Sequence, residues 1–369
     1  MQSGFKGDEI LKAEDKLEEL KANGERIFSF SKLGTFNTCE YEYYNSYVKK
    51  NRGIPNIYTE MGSLMHDNIE GIYAGENDVE SFRNNYTNKV IELDMLGVKF
   101  PSESIGDSWK KDIDHFLKNF KKIDKKMILE KLIVFEIEDG IWLQGYIDAT
   151  LPSDKGKPYV QILDWKTSSK FSGKKLTEAG RQLLMYKLGI EDNTPLKVDK
   201  VMWFMLKYIN VCHVLKNKKV KKKMCNRGKW VKEMRSAFEK EMFTLGIEEF
   251  ELEMLLDKAV EDNEITGLPK EIQDKYWLED CIVEYEITDE KVEEVKNYIL
   301  GTIKAIDEKN PADEKEWKPV EIDKYNSFYC SVLCGHRKTC KFYKKFLEEN
   351  ADGFEKKKKK EIDMDDLFG

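Results

Sequence analysis

Several things are missing from this sequence, and each absence narrows what it can be. No apolar run approaches the roughly 20 residues that a bilayer-spanning helix needs, so no membrane segment is expected. The N-terminus shows no apolar h-region of a secretory signal, and a cytoplasmic location is expected. No Gly-x4-Gly-Lys-[Ser/Thr] loop occurs, so the chain is not expected to be a nucleotide-driven motor. An excess of positive charge is also lacking: 36% of residues are charged, yet the formal net charge is −7. That sum argues against a uniformly basic surface and leaves the local distribution of charge to decide what the chain binds. Seven cysteines in a chain expected to be intracellular suggest metal ligands or buried thiols rather than a disulfide framework.

What is present is the composition of a folded protein, 40% hydrophobic and 12% aromatic over 369 residues, long enough for one large domain or two small ones. Residues 8–22 carry a short amphipathic pattern (Ile10, Leu11, Leu17, Leu20) that stops at Asn23-Gly24. Phe28 and Phe30 read as a brief strand or anchored turn. Ser31 is placed to cap a helix through about Val48, with Leu33, Phe36, Tyr43, Tyr44 and Tyr47 on its apolar face and Cys39 along it. Gly53 and Pro55 break the pattern. A second helix follows with Met61, Leu64, Met65, Ile69 and Ile72 at helical spacing, and His66 beside that stripe. Residues 79–127 read as charged helix. Leu132–Ile137 is a strand, and Asp139-Gly140 is a two-residue hairpin turn into the next one. Residues 199–208 form a further buried strand. Between Lys216 and Lys223 lie six lysines, a solvated hairpin or, through Lys218, Lys219, Lys221 and Lys222, a contact for a phosphate backbone. A largely acidic helical stretch, 229–262, precedes a strand at Cys281–Ile287, and Thr288 or Asp289 caps a helix to about Ile306.

The organising stretch is 141–186. One strand pattern sets Asp148 between Ile147 and Ala149; after a Pro/Ser/Asp/Gly turn, a second runs Tyr159-Val160-Gln161-Ile162-Leu163 into Asp164-Trp165-Lys166. Alternate residues of a strand share a face, so Asp164 and Lys166 point the same way, and if the strands pair, Asp148 stands opposite them. A salt bridge on a sheet edge would account for any one of these residues. Together, carboxylates set among apolar neighbours need pairing or a metal, and two of them converging with an ammonium suit a hard divalent cation and an activated water. A helix pattern beyond the 167–173 loop carries Gln182 and, one turn on, Tyr186.

Asp148, then Asp164-Trp165-Lys166, then Gln182-Leu183-Leu184-Met185-Tyr186, with Gly62-Ser63-Leu64-Met65-His66 upstream, resemble the PD-(D/E)XK nuclease superfamily, and more closely its RecB-like branch. The resemblance covers about Phe28 to Tyr343. It implies an α+β fold, an α/β/α restriction-endonuclease-like core with a central mixed sheet flanked by helices. It further implies a metal-dependent DNA exonuclease, single-strand preferring and acting on DNA ends in recombination, repair or replication. His66, Asp148, Asp164 and the Trp165 carbonyl would hold Mg²⁺ or Mn²⁺. Lys166 would orient the water, and Gln182 and Tyr186 would position the strand, with Tyr186 stacking on a base. A catalytically silent DNA-end-binding accessory protein and an RNase or structure-specific endonuclease remain alternatives, because the same motifs serve all of them.

Cys330-x3-Cys334-x5-Cys340 leaves a four-coordinate site one ligand short, and Cys39 is the candidate for the fourth. In iron–sulfur members of the RecB-like branch one cysteine precedes the nuclease motifs and three follow, which implies a [4Fe–4S] cluster here. Zinc held by the three cysteines and His336 is the alternative. The first gap is one residue longer than is common in that branch, and Glu40 stands where proline often follows the first cysteine. Cys212, Cys225 and Cys281 have no partner spacing and read as structural. The expected organisation is a single nuclease domain over 1–345, with an insertion at about 211–278 and metal-stapled termini. A disordered tail over 346–369 is basic at Lys356–Lys360, then acidic. Its tip, Asp363–Gly369, could engage a replication or recombination protein or simply aid solubility.

Overall fold

A computed structural model describes residues 8–171, 173–323 and 327–350. The expectations for the tail beyond Asn350, including its acidic tip, lie outside those residues. Two compact units divide the chain: one of residues 1–30 and 61–297, the other of 31–60 and 298–369.

In chain order, α1 (Asp8–Ala22) ends at Asn23-Gly24, where Gly24 takes φ 73°. It is followed by β1 (Arg26–Ser29) and α2 (Phe30–Thr38). The helix expected through Val48 is broken at Cys39, whose backbone is extended (φ −156°); α3 (Glu40–Tyr43) and a π-turn at Tyr44–Val48 complete it. Next come α4 (Ile57–Ala74), α5 (Val79–Met95) and α6 (Glu103–Lys118), the last two capped by Asp78 and Ser102 side chains. Strands β2 (Ile128–Glu138), β3 (Ile141–Pro152) and β4 (Tyr159–Lys166) then precede α7 (Lys174–Asn193). The remainder runs β5 (Lys197–Val214), β6 (Val220–Asn226), α8 (Trp230–Thr244), α9 (Glu249–Asp262), α10 (Lys270–Lys275), β7 (Tyr276–Tyr285), α11 (Asp289–Asp307) and α12 (Lys341–Glu349). Thr288, not Asp289, caps α11, its Oγ1 accepting the Lys291 N–H at 3.3 Å. No helix among the described residues is long and apolar enough to cross a membrane.

The fold is the expected α+β: a seven-stranded mixed sheet flanked by helices. β3 organises it. Along one edge β2 pairs antiparallel from Ile128–Thr150 to Glu138–Ile141. Along the other edge β1 runs parallel to Ile141–Gln144, and β4 runs antiparallel to Ala149–Pro152. Gly145–Asp148 therefore faces a gap between two partner strands. β4 continues into a parallel pairing with β5, which is the hub for β6 and β7. The buried faces of β2, β3 and β4 carry Ile133, Phe135, Leu143, Ile147, Leu163 and Trp165, the near-continuous apolar runs expected of strands covered on both sides.

The insertion forms its own small core on β5–β7. Trp230, Met234, Phe238 and Met242 of α8 meet Leu252, Leu256 and Ala259 of α9, and Tyr276 closes the cluster. The single helical stretch expected over 229–262 is thus two helices, parted at residues 245–248. In the second unit, Phe36, Tyr43, Tyr44 and Trp317 pack together, Tyr43 stacked on Trp317 at 5.8 Å. The Asn37 amide donates to Thr302 Oγ1 at 2.8 Å, tying α2 to α11.

Candidate active site

The gap in the edge of β3 is where the sequence motifs meet. Pairing of β3 with β4 ends at Ala149–Leu163, and Asp148 and Asp164 stand one residue further on each strand. There Asp148 Oδ2 accepts the Trp165 backbone N–H at 2.8 Å, so a side chain replaces the next ladder bond. α4 brings in His66. Its Nε2 donates to the Trp165 carbonyl at 2.9 Å, and its Nδ1 lies 3.4 Å from Asp148 Oδ2. Tyr73, two turns along the same helix, stacks on the Trp165 indole at 6.0 Å and fixes α4 against β4. Lys166 Nζ is 2.7 Å from Asp164 Oδ2, an ion pair without an aligned hydrogen bond to that oxygen.

Burial sets the electrostatics. Asp148 and Asp164 are 7% and 1% exposed. Burial raises the Asp164 pKa, with the Asp148 charge adding to it, and the Lys166 ammonium only partly offsets the rise. Burial opposes the charge on His66, but its hydrogen bond to Asp148 and the field of both aspartates prevail, so its pKa is raised. Lys166 behaves alike: burial works against it, and Asp164 keeps it firmly protonated.

Gln182 and Tyr186 on α7 extend the cluster. Lys166 Nζ donates to Gln182 Oε1 at 3.4 Å, and Gln182 Nε2 donates to the Tyr186 hydroxyl at 2.9 Å. Tyr186 itself is only 6% exposed, its ring lying on the bare backbone of Gly145, where an added Cβ would sit 2.8 Å from Cε1. That burial leaves no open ring face for a base.

A carboxylate pair lies at the same place. Glu70, one turn beyond His66, is hydrogen-bonded to Glu130 of β2, and its pKa is pushed up to about 8, first by burial and then by Glu130. Glu130 falls between the rungs Leu129–Ala149 and Lys131–Ile147, across from Asp148, and takes φ 44°, a left-handed backbone rare for a residue with a side chain. Helical spacing on α4 carries Glu70 to the same side as His66. Nothing in a strand of ordinary residues announces a positive φ.

The donor set suits Mg²⁺ or Mn²⁺ in chemical type: two carboxylates, a carbonyl and an imidazole. As they stand, His66, Asp148 and the Trp165 backbone engage one another, Asp164 Oδ2 is buried without a hydrogen-bond donor, and among the described residues no three His, Cys, Asp or Glu side chains are gathered as a metal-ion group. The same holds for the thiols. Cys39, Cys330, Cys334 and Cys340 line one small cavity, together with His336 and Glu42. Backbone N–H groups of Val320 and His336 donate to the sulfurs of Cys39 and Cys334, each at 3.4 Å. Burial raises the pKa of Cys39, and that of Cys330 to about 11. His336 Nε2 is engaged by Ser46 Oγ at 2.9 Å. Cys212, Cys225 and Cys281 are buried elsewhere at 0% exposure, as structural thiols would be.

Of the hairpin lysines, Lys218 sits in the turn with φ 63°, and Lys219 and Lys221 are exposed. Lys222, also exposed, is ion-paired to Glu279 of β7 at 2.5 Å.

No curated protein matches the chain. The family model of the PD-(D/E)XK nuclease superfamily matches residues 27–341, a span that takes in His66, the gap in β3 and α7. Nucleases of this superfamily use Mg²⁺ or Mn²⁺, for which carboxylates at a parting of two strands are the appropriate donors. On that match, and on the fold around it, the chain belongs to the PD-(D/E)XK nuclease superfamily.

Proposed function

We propose that this protein is a metal-dependent DNA exonuclease of the RecB-like branch, preferring single strands and working at DNA ends in recombination, repair or replication. The observation that carries the reading is the convergence of His66, Asp148, Asp164 and Lys166 at the gap in β3. Asp148, Asp164, His66 and the Trp165 carbonyl would hold Mg²⁺ or Mn²⁺. The bound ion would supply polarisation of the scissile phosphate and a lowered pKa for water. Lys166, charged at any working pH because Asp164 faces it, orients the attacking water and offsets charge on the phosphorane-like transition state. Gln182, gripped by Tyr186, keeps the Lys166 ammonium in place.

The four thiols would hold a [4Fe–4S] cluster. That all four line one cavity supports a shared ligand, with zinc held by the three cysteines and His336 as the alternative. Lys218, Lys219 and Lys221 would meet the phosphate backbone, and the tip Asp363–Gly369 a replication or recombination protein.

Anaerobically purified protein with end-labelled single- and double-stranded DNA, with and without Mn²⁺, tests the activity. Mononucleotide release from single strands, lost in Lys166→Ala, is the expected result. Binding to ends without cleavage would instead make the chain a silent accessory protein. Internal cuts, or cleavage confined to RNA, would make it an endonuclease or RNase of the same fold. Iron, sulfide and zinc analysis of the same sample decides what the thiols hold.

A further inference from the structure

The helical insertion presents a surface that phosphodiester chemistry does not use. At the tip joining α8 to α9, Phe243 is 76% exposed, Leu245 45%, Phe250 84% and Met254 56%. These side chains are not loose parts of the core. Phe238 and Met242 of α8 and Leu252 and Leu256 of α9 already fill it. Phe250 and Met254 lie one turn apart on the outer face of α9, so the exposed set is contiguous on that helix. Scattered exposed apolar residues are ordinary, but two phenylalanines this bare beside a leucine and a methionine mark an interaction site.

The charge around them specifies the partner. From Glu241 to Asp257 the sequence holds six acids and no lysine or arginine. Glu241 is paired to Lys275, and Glu253 and Asp257 to Arg235. Glu248, Glu249 and Glu251 are exposed and take part in no ion pair among the described residues. Acids in the first turn of α9 complement its dipole, which accounts for their stability but not for the bare Phe250 among them.

We propose that the α8–α9 tip docks a basic amphipathic helix of a protein partner, its apolar face against the exposed phenylalanines and its lysines or arginines against the glutamates. Phe243 and Phe250 are the anchors, and the three free glutamates steer and orient the encounter. Nucleic acid and anionic membrane are repelled by the same glutamates. A second copy meeting this patch about a twofold axis would set acid against acid.

The test uses the whole chain and a labelled amphipathic Leu/Lys helical peptide as the probe, read by fluorescence anisotropy. Companion peptides replace Lys by Glu, or Leu by Ser. Binding of the Leu/Lys peptide alone is expected, with hydrogen-exchange protection at 241–257. Phe243→Ser with Phe250→Ser should weaken it at least tenfold. Glu248→Gln, Glu249→Gln and Glu251→Gln together should weaken it at least threefold and flatten its salt dependence. Met95→Ser, at a bare site on α5, should leave it unchanged. Binding that survives both tip variants, or that the Ser/Lys peptide reproduces, overturns the proposal. So does a tip variant that alters the sedimentation coefficient, which assigns the face to self-association, or one that alters single-stranded DNA affinity.

Discussion

Asp148 Oδ2 accepts the Trp165 N–H at 2.8 Å, at the point where β3 and β4 stop pairing. One carboxylate therefore closes the sheet and supplies a donor to the site. The two duties separate by substitution. Asp148→Asn keeps an acceptor and should melt near the parent while losing cleavage by about 100-fold or more. Asp148→Ala should lose cleavage and also about 1–3 kcal/mol of stability, because a buried N–H is orphaned. Denaturant melts beside labelled-DNA cleavage distinguish the two, and equal stability of both variants would count against the hydrogen bond.

Gly145 is needed because the Tyr186 ring lies where its side chain would be. Gly145→Ala should destabilise by about 1–3 kcal/mol through overpacking and displace Tyr186 from Gln182. Tyr186→Phe keeps the packing and removes only the hydroxyl, so a smaller loss, about 1 kcal/mol, is expected with a fall in cleavage rate. A Tyr186→Phe variant cleaving at the parent rate would show that the grip on Gln182 has no catalytic consequence.

Asp112 on α6 is buried to 2% exposure and accepts the Gly228 N–H at 2.7 Å. Its pKa is pushed up to about 6, chiefly by burial, against the Gly228 bond and the nearby lysines. A carboxyl that holds its proton more tightly folded than unfolded lowers stability as pH rises from the ordinary 3.8 to about 6, after which the effect is constant. Asp112→Asn retains the acceptor and should remove that slope, gaining about 1–3 kcal/mol over the parent at pH 7. Urea melts at pH 4 and pH 7 check it; parallel curves for parent and variant would contradict the assignment.

Gly53 and Gly335 cross at backbone contact, a Cβ on Gly335 falling 3.2 Å from Gly53 Cα, and Ile54 N–H donates to the Gly335 carbonyl at 2.8 Å. This crossing seats the loop that carries Cys334. Gly335→Ala should cost about 1–3 kcal/mol and, by loosening the loop, speed the reaction of Cys334 with a thiol reagent. Unchanged thiol reactivity would show that the loop is held without the crossing.

Much of the fold was legible because its signals are local. The Asn23-Gly24 stop, the Asp139-Gly140 turn, the apolar stripe of α4 and the register that sets Asp148 near Asp164 all follow from period and turn chemistry. The misreadings occur where a distant contact overrides the period. Cys39 leaves the helix, and its sulfur accepts the N–H of Val320, far along the chain. Tyr186 looked available and is buried under packing on Gly145. Glu70 and Glu130 are sixty residues apart and are brought together only by the packing of α4 on β2.

The sequence by itself determined the order of strands and helices, the acids and lysine that strand alternation brings to one place, and the thiols available to a common site. Only the tertiary structure decided that β1 and β4 share an edge of β3 and leave Gly145–Asp148 uncovered between them. It alone set Lys222 against Glu279 and left Phe243 and Phe250 bare. The reason is physical: side-chain periodicity is fixed within a few residues of chain, whereas burial, pairing and pKa depend on which distant segment packs alongside.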